Sequence, residues 1–180
     1  MTRVILASHD LLTHLDLKGP TFRVNVELPT HYHAQNQKNV FLSQKVNFGH
    51  FSKMISAHCA TDVTGFGILG HAQNLAECQN EEVDFIIDTL PCISGTVQSD
   101  SELNEMFKLV AGKSAETSGG LLLAIGPENA DSFIEKLKEI NGHDIWKVGS
   151  VVSGSKSAKI APGLKILEIS SDENGKLKTL

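Results

Sequence analysis

The amino-acid sequence predicts an α/β layer sandwich. From residue 51 onward, apolar runs of strand length alternate with segments in which apolar residues recur at helical spacing. Glycine, serine and proline separate these runs, as they do at turns. Of the 180 residues, 41% are apolar and 21% charged, which is typical of a globular domain and not of a disordered or membrane-spanning chain.

The first helix is predicted directly after a glycine-containing turn. Residues 60–67 (ATDVTGFG) are typical of a turn that leads into a helix. Residues 68–78 then place apolar side chains on one helical face, made of Ile68, Leu69, Ala72, Leu75 and Ala76. Residues 83–88 (VDFIID) are rich in β-branched and aromatic side chains and predict a strand that Leu90 and Pro91 stop.

The second half of the chain repeats this alternation. Residues 101–111 predict a helix capped by Ser101, and the apolar run 121–125 (LLLAI) predicts a buried strand. Pro127 begins another amphipathic helix, whose inward residues are Phe133, Ile134, Leu137 and Ile140. Short strands separated by turns are predicted at residues 146–152, 158–160 and 164–169.

Residues 1–50 differ in composition from the rest of the chain. They are rich in His, Asn and Gln and hold five of the eight histidines, so they show no packed core. One strand is predicted from Phe22 to Leu28, ended by Pro29. We therefore expect a divergent leader at 1–50, poorly ordered or incomplete, an α/β domain at 51–170 and a polar tail at 171–180.

Charge and cysteine content narrow the classes of function. A formal net charge of −5 gives no general attraction to nucleic acid or anionic lipid, so neither is an expected partner. Three widely spaced cysteines match neither a zinc site nor a disulfide framework, which indicates a cytoplasmic location. His9 and Asp10 interrupt the N-terminal apolar run before it reaches the length of a targeting or membrane-spanning segment.

Residues 57–71 (AHCATDVTGFGILGH) are the candidate functional motif. Asp62 supplies a hard oxygen ligand suited to Mg²⁺, which takes one or two protein carboxylates and completes its coordination with water and phosphates. The following helix N-terminus offers amide groups and a positive dipole end to an anion. In a purely structural interpretation, Thr64 caps the helix, Gly65 and Gly67 permit a tight turn, and Asp62 is solvated.

Two motifs together resemble a known family. TDVTGFGILGH (residues 61–71) and ETSGGLL (residues 116–122) resemble two signatures of the C-terminal domain of selenophosphate synthetase, within the superfamily related to aminoimidazole ribonucleotide (AIR) synthetase. The resemblance covers about two thirds of the chain. It implies a mixed sheet with helices packed mainly on one face, as in the AIR synthetase-like fold. It also implies ATP-dependent phosphorylation of selenide to selenophosphate for selenocysteine synthesis, with Mg²⁺, and a metal-ligand role for Asp62.

Other features of that family have no match here. The resemblance implies a reactive Cys or selenocysteine beside a Lys in a glycine-rich loop, and an ATP-binding domain with further metal-binding aspartates. Residues 1–50 contain no cysteine, no phosphate loop and no cluster of aspartates. Cys59, inside the matching region, is interpreted as a small core residue. We therefore assign no catalytic residue and no nucleotide-binding residue.

Several residues near the motifs have a structural interpretation that competes with a functional one. Gly119 and Gly120 either let the backbone approach a ligand or, as is commoner, form a turn. The flanking His58 and His71 are interpreted as hydrogen-bonded packing groups. His31 and His33 form a weak pair to which we assign no metal.

Three hypotheses of function follow. In the first, the chain belongs to selenophosphate synthetase and contributes Asp62 to an ATP and Mg²⁺ site completed elsewhere, with no activity alone. In the second, it is a non-catalytic module that binds an intact synthetase or another selenium-pathway protein. In the third, it is a different ATP-dependent enzyme of the superfamily, such as AIR synthetase, thiamine monophosphate kinase or a hydrogenase maturation factor. Turnover of selenide, co-purification with a synthetase, or turnover of those other substrates would discriminate between them.

Overall fold

A computed structural model describes residues 2–7, 57–116 and 119–180. The strand predicted from Phe22 to Leu28 and the pair His31 and His33 lie outside the described residues. The described strands are β1 (Thr2–Ala7), β2 (Ala57–Asp62), β3 (Val83–Ile93), β4 (Leu121–Ile125), β5 (Trp146–Ser153), β6 (Ala158–Ser171) and β7 (Leu177–Thr179). The described helices are α1 (Gly67–Glu77), α2 (Thr96–Glu102) and α3 (Pro127–Asn141).

The strands form one mixed sheet in the order β2-β4-β1-β5-β3-β6-β7. The β3–β6 pair is parallel, and every other neighbouring pair is antiparallel. This confirms the predicted α/β fold with a mixed sheet.

Strand β1 lies inside the sheet, between β4 and β5. Val4 and Ile5 are fully buried and pack into clusters on opposite faces, as alternation along a strand requires. No sequence pattern predicted this strand. The domain bounds at 1–50, 51–170 and 171–180 stay predictions, although the sheet takes β1 from the first of these segments and β7 from the last.

Helices cover both faces of the sheet, two of them on the same face. Helix α1 buries four residues of the predicted apolar stripe there, Ile68, Ala72, Leu75 and Ala76, whereas Leu69 is only partly buried. Helix α2 packs Val97 against the same cluster. Helix α3 covers the other face with Ala130, Phe133 and Leu137. Because both faces are covered, all five residues of β4 are buried, which confirms the strand predicted at 121–125. Each buried Leu or Ile contributes roughly 1.5–3 kcal/mol to folding.

One residue of the predicted inward face of α3 is exposed. Helix α3 begins at Pro127 as predicted, and Phe133 and Leu137 are buried while Ile134 is partly so. Ile140 is 46% exposed, so its predicted burial is wrong. It lies on the flank of the stripe formed by Ala130, Phe133 and Leu137 instead of on its axis.

The helix predicted at 101–111 is wrong. Helix α2 ends at Glu102, Ser101 lies within it and does not cap it, and residues 103–112 form turns apart from one irregular position. The buried carboxylate of Asp100 accepts hydrogen bonds from the backbone N–H groups of Phe107 at 2.8 Å and Leu109 at 2.9 Å. A side chain that captures amides in this way competes with the helical ladder.

Strand β3 passes through the residues predicted to stop it. It continues through Leu90 and Pro91 to Ile93. Its pairing with β5 ends at Ile87, so beyond that residue β3 pairs only with β6 within the described chain. The edge of β3 that no longer pairs with β5 needs no ladder hydrogen bonds, and such an edge tolerates a proline.

Strand β6 joins the two strands predicted at 158–160 and 164–169. Its register against β3 jumps from Ile160 to Lys165, and this irregularity accommodates Gly163 with φ +78°.

Within the described part of the chain, no helix combines the length and apolar character that crossing a membrane requires.

Candidate functional site

The predicted metal ligand Asp62 is the last residue of β2 and is partly buried. It pairs with Leu121 at the start of β4 and directly precedes the turn into α1. Its side chain accepts no hydrogen bond from the described residues, and Thr61 Oγ1 donates to its backbone oxygen at 3.2 Å. The carboxylate is therefore not committed to a structural role within the described chain.

The turn after Asp62 is held by the second glycine motif. The N–H of Val63 donates to the Gly120 carbonyl at 2.9 Å, and the N–H of Glu116 donates to the Thr64 carbonyl at 3.1 Å. A Cβ on Gly119 would lie 2.2 Å from the Val63 oxygen, so only glycine allows this approach of the two backbones. The structure thus brings the two predicted motifs together and gives Gly119 a contact within the chain itself.

The start of α1 is held by a second loop. The N–H of Gly67 donates to the Thr64 carbonyl at 3.0 Å, and that of Leu69 donates to the Gly112 carbonyl at 2.9 Å. Gly67 has φ +67°, and a Cβ there would lie 2.6 Å from the Gly112 oxygen. These two amides are satisfied by the chain, so they do not supply the anion-binding groups expected at this helix end.

Thr64 does not cap α1. The N-cap position is Phe66, which makes no side-chain capping bond. The Thr64 N–H instead donates to Nε2 of His71 at 3.0 Å, and its Oγ1 lies 3.1 Å from the same nitrogen. The predicted cap is wrong because the helix starts two residues later, which leaves Thr64 inside the turn.

His71 is a buried, hydrogen-bonded packing group, as predicted. It is 1% exposed, and its ring centroid lies 5.7 Å from that of Phe66. Burial lowers the pKa of His71 because it disfavours the charged ring, and the negative charge of Asp62 opposes this shift. At neutral pH the ring is therefore neutral.

Glu116 lies in the same corner of the fold, where the turn after Asp62 meets Glu116, Gly119 and Gly120, although it was not predicted as a site residue. Its backbone holds Thr64, and partial desolvation of its carboxyl raises its pKa. The sequence feature that could have pointed to Glu116 is its position as the first residue of ETSGGLL. A motif, however, does not show which of its side chains lose contact with water.

The described cysteines are poor nucleophiles. Burial raises the pKa of the Cys59 thiol to about 12 and that of the Cys92 thiol to about 11, so both are protonated at neutral pH. Cys59 also packs against the main apolar cluster, which confirms its interpretation as a core residue. His58 is exposed on β2.

Asp62 fits Mg²⁺ as a single ligand and not as part of a complete protein site. The described residues contain no group of three or more His, Cys, Asp or Glu side chains arranged to hold a metal ion. One carboxylate is enough for a protein contribution to Mg²⁺ when phosphates and water supply the other ligands. The corner can therefore present a carboxylate from a rigid backbone to a metal whose other ligands come from elsewhere.

The sequence comparison identifies the class of protein. A family model described as "AIR synthase related protein, C-terminal domain" matches residues 36–161, which is more than half of the chain. The chain therefore belongs to this family.

Curated relatives narrow the class and confirm the resemblance to the selenophosphate synthetase C-terminal domain. Selenide, water dikinase of Trypanosoma brucei brucei is 44% identical over 125 residues, which cover 67% of this chain and 32% of that protein. The Dictyostelium discoideum protein of the same name is 43% identical over 129 residues, covering 68% and 35%. Selenide, water dikinase 2 of Homo sapiens is 44% identical over 117 residues, covering 63% and 26%. The chain spans about a third of the length of these relatives.

Solved structures support the fold alone. Two crystal structures of Escherichia coli HypE, a hydrogenase maturation protein, match with TM-scores of 0.52 and 0.51 at 14% and 13% identity. Each match covers 99% of this chain and 49% of the HypE chain. The much higher identity to selenide, water dikinases favours that branch of the family over a hydrogenase maturation factor.

Proposed function

We propose that this chain serves as the C-terminal domain unit of a selenide, water dikinase, in which ATP phosphorylates selenide to selenophosphate. The observation that carries the proposal is the meeting of the two family motifs around Asp62. The Val63–Gly120 hydrogen bond and the Gly119 backbone contact join them in one corner. The identity to selenide, water dikinases extends over this region and supports the same conclusion.

In this proposal, Asp62 is one ligand of a Mg²⁺ ion that neutralises charge on the triphosphate of ATP. The contribution of this chain is to hold the Asp62 carboxylate in position. Backbone hydrogen bonds from Val63 and to Thr64 fix the residues that follow Asp62, and the side chain of Asp62 accepts no hydrogen bond from the described residues. A ligand held in one geometry binds a metal more tightly than one that must first be ordered.

The same geometry supports the proposal that the chain has no activity by itself. The described residues contain no group of three or more His, Cys, Asp or Glu side chains that could hold a metal ion, and the thiols of Cys59 and Cys92 are protonated at neutral pH. Further metal ligands and a nucleophile must then come from residues outside the described chain or from another subunit.

Calorimetric titration with ATP in the presence and absence of Mg²⁺ tests the role of Asp62. We expect Mg²⁺-dependent binding by the wild-type chain and its loss in Asp62→Asn. Asp88→Asn is the matched control, since Asp88 is partly buried on β3, four strands away in the sheet order, and should leave binding unchanged. A folded wild-type chain that binds no ATP with Mg²⁺ would refute the proposal for this corner.

Turnover is measured separately, as AMP formed from ATP in the presence of selenide. We expect none from the purified chain. Sustained AMP formation that disappears in Asp62→Asn would show that the chain carries a complete active site and would contradict its dependence on other residues.

A second candidate function is association with an intact selenide, water dikinase, without catalysis by this chain. The specific observation is a loop after α2 that exposes four large apolar side chains, Leu103, Met106, Phe107 and Val110. The buried Asp100 holds this loop through the Phe107 and Leu109 amides, so these side chains are displayed from an ordered backbone. Exposed apolar side chains grouped in this way mark interaction surfaces.

Co-purification with a full-length selenide, water dikinase tests the association. We expect Met106→Ser with Phe107→Ser to abolish it while Ile140→Ser, an exposed apolar residue on α3, leaves it intact. A wild-type chain that elutes as a monomer and ignores the synthetase would remove this candidate.

We also propose that the chain works in the cytoplasm. All three cysteines, Cys59, Cys78 and Cys92, are free thiols, as expected in a reducing compartment. Cell fractionation with an epitope-tagged chain checks this; recovery in a secreted or organellar fraction would contradict it.

A further inference from the structure

His71 makes a contact that no other described residue duplicates. It lies in the first half of α1, is 1% exposed, and accepts a hydrogen bond from the Thr64 N–H at 3.0 Å through Nε2. The other anchors of the turn act elsewhere. Gly120 holds the N–H of Val63, while Gly67 and Glu116 donate to the Thr64 carbonyl. Within the described chain, His71 is thus the group that fixes the Thr64 amide.

The direction of this hydrogen bond determines the tautomer of the ring. A backbone N–H can only donate, so Nε2 carries the lone pair and the proton of the neutral ring is on Nδ1. Nδ1 is buried and has no hydrogen-bond partner among the described residues. Burying a donor in this state is unfavourable.

A hydrocarbon ring would fill the same space without a buried, unpartnered donor. The acceptor at Nε2 is therefore what a histidine adds at this position, and in the described structure that acceptor serves only Thr64. Thr64 is two residues from Asp62, and the residue between them, Val63, is buried. A change in the position of the Thr64 amide is consequently transmitted through a short, constrained backbone to Asp62.

We propose that His71 is a positioning residue that, by accepting from the Thr64 amide, fixes the turn and so the direction in which Asp62 presents its carboxylate to a metal–nucleotide ligand. This rests on the proposed function of Asp62. His71 itself touches no ligand in this scheme. Residues that orient a metal ligand in this way commonly change metal affinity by about 10–100-fold when they are replaced.

Two variants separate positioning from packing. His71→Phe keeps a ring of similar size and loses the acceptor. His71→Gln places an amide oxygen near the position of Nε2 and restores the acceptor. With Mg²⁺ and ATP as the probe, we expect His71→Phe to weaken Asp62-dependent binding by about tenfold. We expect His71→Gln to recover most of that loss, with folding of both variants checked by circular dichroism. Equal affinities for wild type and folded His71→Phe would overturn the proposal.

Nuclear magnetic resonance tests the geometry without any ligand. In the wild-type chain, the ¹⁵N shifts of His71 should show a protonated Nδ1 and an unprotonated, hydrogen-bonded Nε2. Amide exchange at Thr64 should be at least about tenfold faster in His71→Phe than in wild type, and the Asp62 resonances should move. A wild-type ring protonated on Nε2, or unchanged Thr64 exchange in the variant, would refute the role of His71.

The two measurements also keep the two proposals apart. If the wild-type chain shows no Asp62-dependent binding but the expected tautomer and Thr64 exchange, the function of the corner fails while His71 still fixes the turn. If binding depends on Asp62 but neither His71 variant alters it, the function stands and the positioning role fails.

Discussion

Asp84 on β3 and Asp62 on β2 lie four strands apart in the sheet order and differ in what surrounds their carboxylates. Asp84 is buried on β3, and one of its oxygens accepts from the N–H groups of Ser155 at 2.7 Å and Ser157 at 3.0 Å. The other oxygen pairs with Lys159 Nζ at 2.7 Å. Asp62 is partly exposed and accepts nothing through its side chain from the described residues. The first carboxylate is committed to the fold, and the second remains available to a ligand.

This comparison separates an aspartate that is committed to the fold from one whose carboxylate has no hydrogen-bond partner among the described residues. The donors around Asp84 lower its pKa, chiefly through Lys159 and the Ser155 amide, because they stabilise the charged form. Around Asp62, the hydrogen bonds hold the neighbouring backbone and not the carboxylate. A rigid frame around an unpartnered carboxylate is the arrangement expected of a ligand-binding group.

The largest expected effect is the loss of stability in Asp84→Ala. Removing the carboxylate leaves the Ser155 and Ser157 amides and the Lys159 ammonium without their acceptor. We expect the thermal midpoint to fall on the order of ten degrees. Asp62→Ala is the matched variant on β2 and should change the midpoint by no more than about one or two degrees. A similar fall in both variants would show that Asp62 also supports the fold and would break the comparison.

The second effect concerns the frame around Asp62. Gly119→Ala places a Cβ against the Val63 oxygen, which forces the two backbones apart. We expect the free energy of unfolding to fall by about 1–3 kcal/mol, measured by urea denaturation, together with weaker Mg²⁺-dependent ATP binding. Gly65→Ala is the control in the same turn, since a Cβ there meets nothing within 4 Å. If Gly65→Ala were as destabilising as Gly119→Ala, the close approach would not be the cause.

Acid pH provides a smaller test of the Asp84 site. The folded pKa of Asp84 is depressed, so its contribution is fully present above the ordinary aspartate pKa of about 4 and declines as pH falls below that toward the folded value. The gap in thermal midpoint between wild type and Asp84→Ala should therefore shrink between about pH 5 and pH 2. Melting curves across this range check it, and a gap that stays constant would argue that the carboxylate's charge contributes nothing.

Local sequence patterns predicted the parts of the fold that depend on local contacts. The helix predicted at 68–78 is observed at Gly67–Glu77, and the buried strand at 121–125 and the helix from Pro127 were also correct, because periodicity determines them. The turn predicted at 60–67 begins only after Asp62, since residues 60–62 belong to β2, which was not predicted. Strand β1 was missed since its neighbours β4 and β5 lie more than a hundred residues away along the chain. The segment after α2 was predicted wrongly because Asp100 captures two amides that a helix would otherwise use.

The candidate site shows the same division. Asp62 and the glycine pair followed from short motifs, whose residue types indicate their chemistry. The roles of the residues around them did not follow. That His71 binds the Thr64 amide, and that Gly119 packs against Val63, depends on segments that meet only in the folded chain. Sequence alone therefore supplied the proposed metal ligand, Asp62, but not the neighbours that hold its backbone in place.

The smallest expected effect is the pH dependence that His71 gives to stability. Burial lowers its folded pKa below the ordinary value of about 6.5, so as pH falls through 6.5 the unfolded chain takes up a proton that the folded chain resists. The unfolded state then binds more protons, and stability decreases toward lower pH. Replacing the ring by Phe removes this term.

We expect the thermal midpoint of wild type to fall between about pH 7.5 and pH 5.5 by on the order of 1 °C more than that of His71→Phe. His58→Gln, at an exposed position on β2, is the control and should follow wild type. Equal slopes for wild type and His71→Phe would mean that the buried ring accepts a proton as readily in the folded chain as in the unfolded one. That result would contradict the hydrogen bond in which Nε2 of His71 accepts from the Thr64 amide. Even this small difference therefore tests the backbone hydrogen bonding around Asp62, which distinguishes this residue from Asp84.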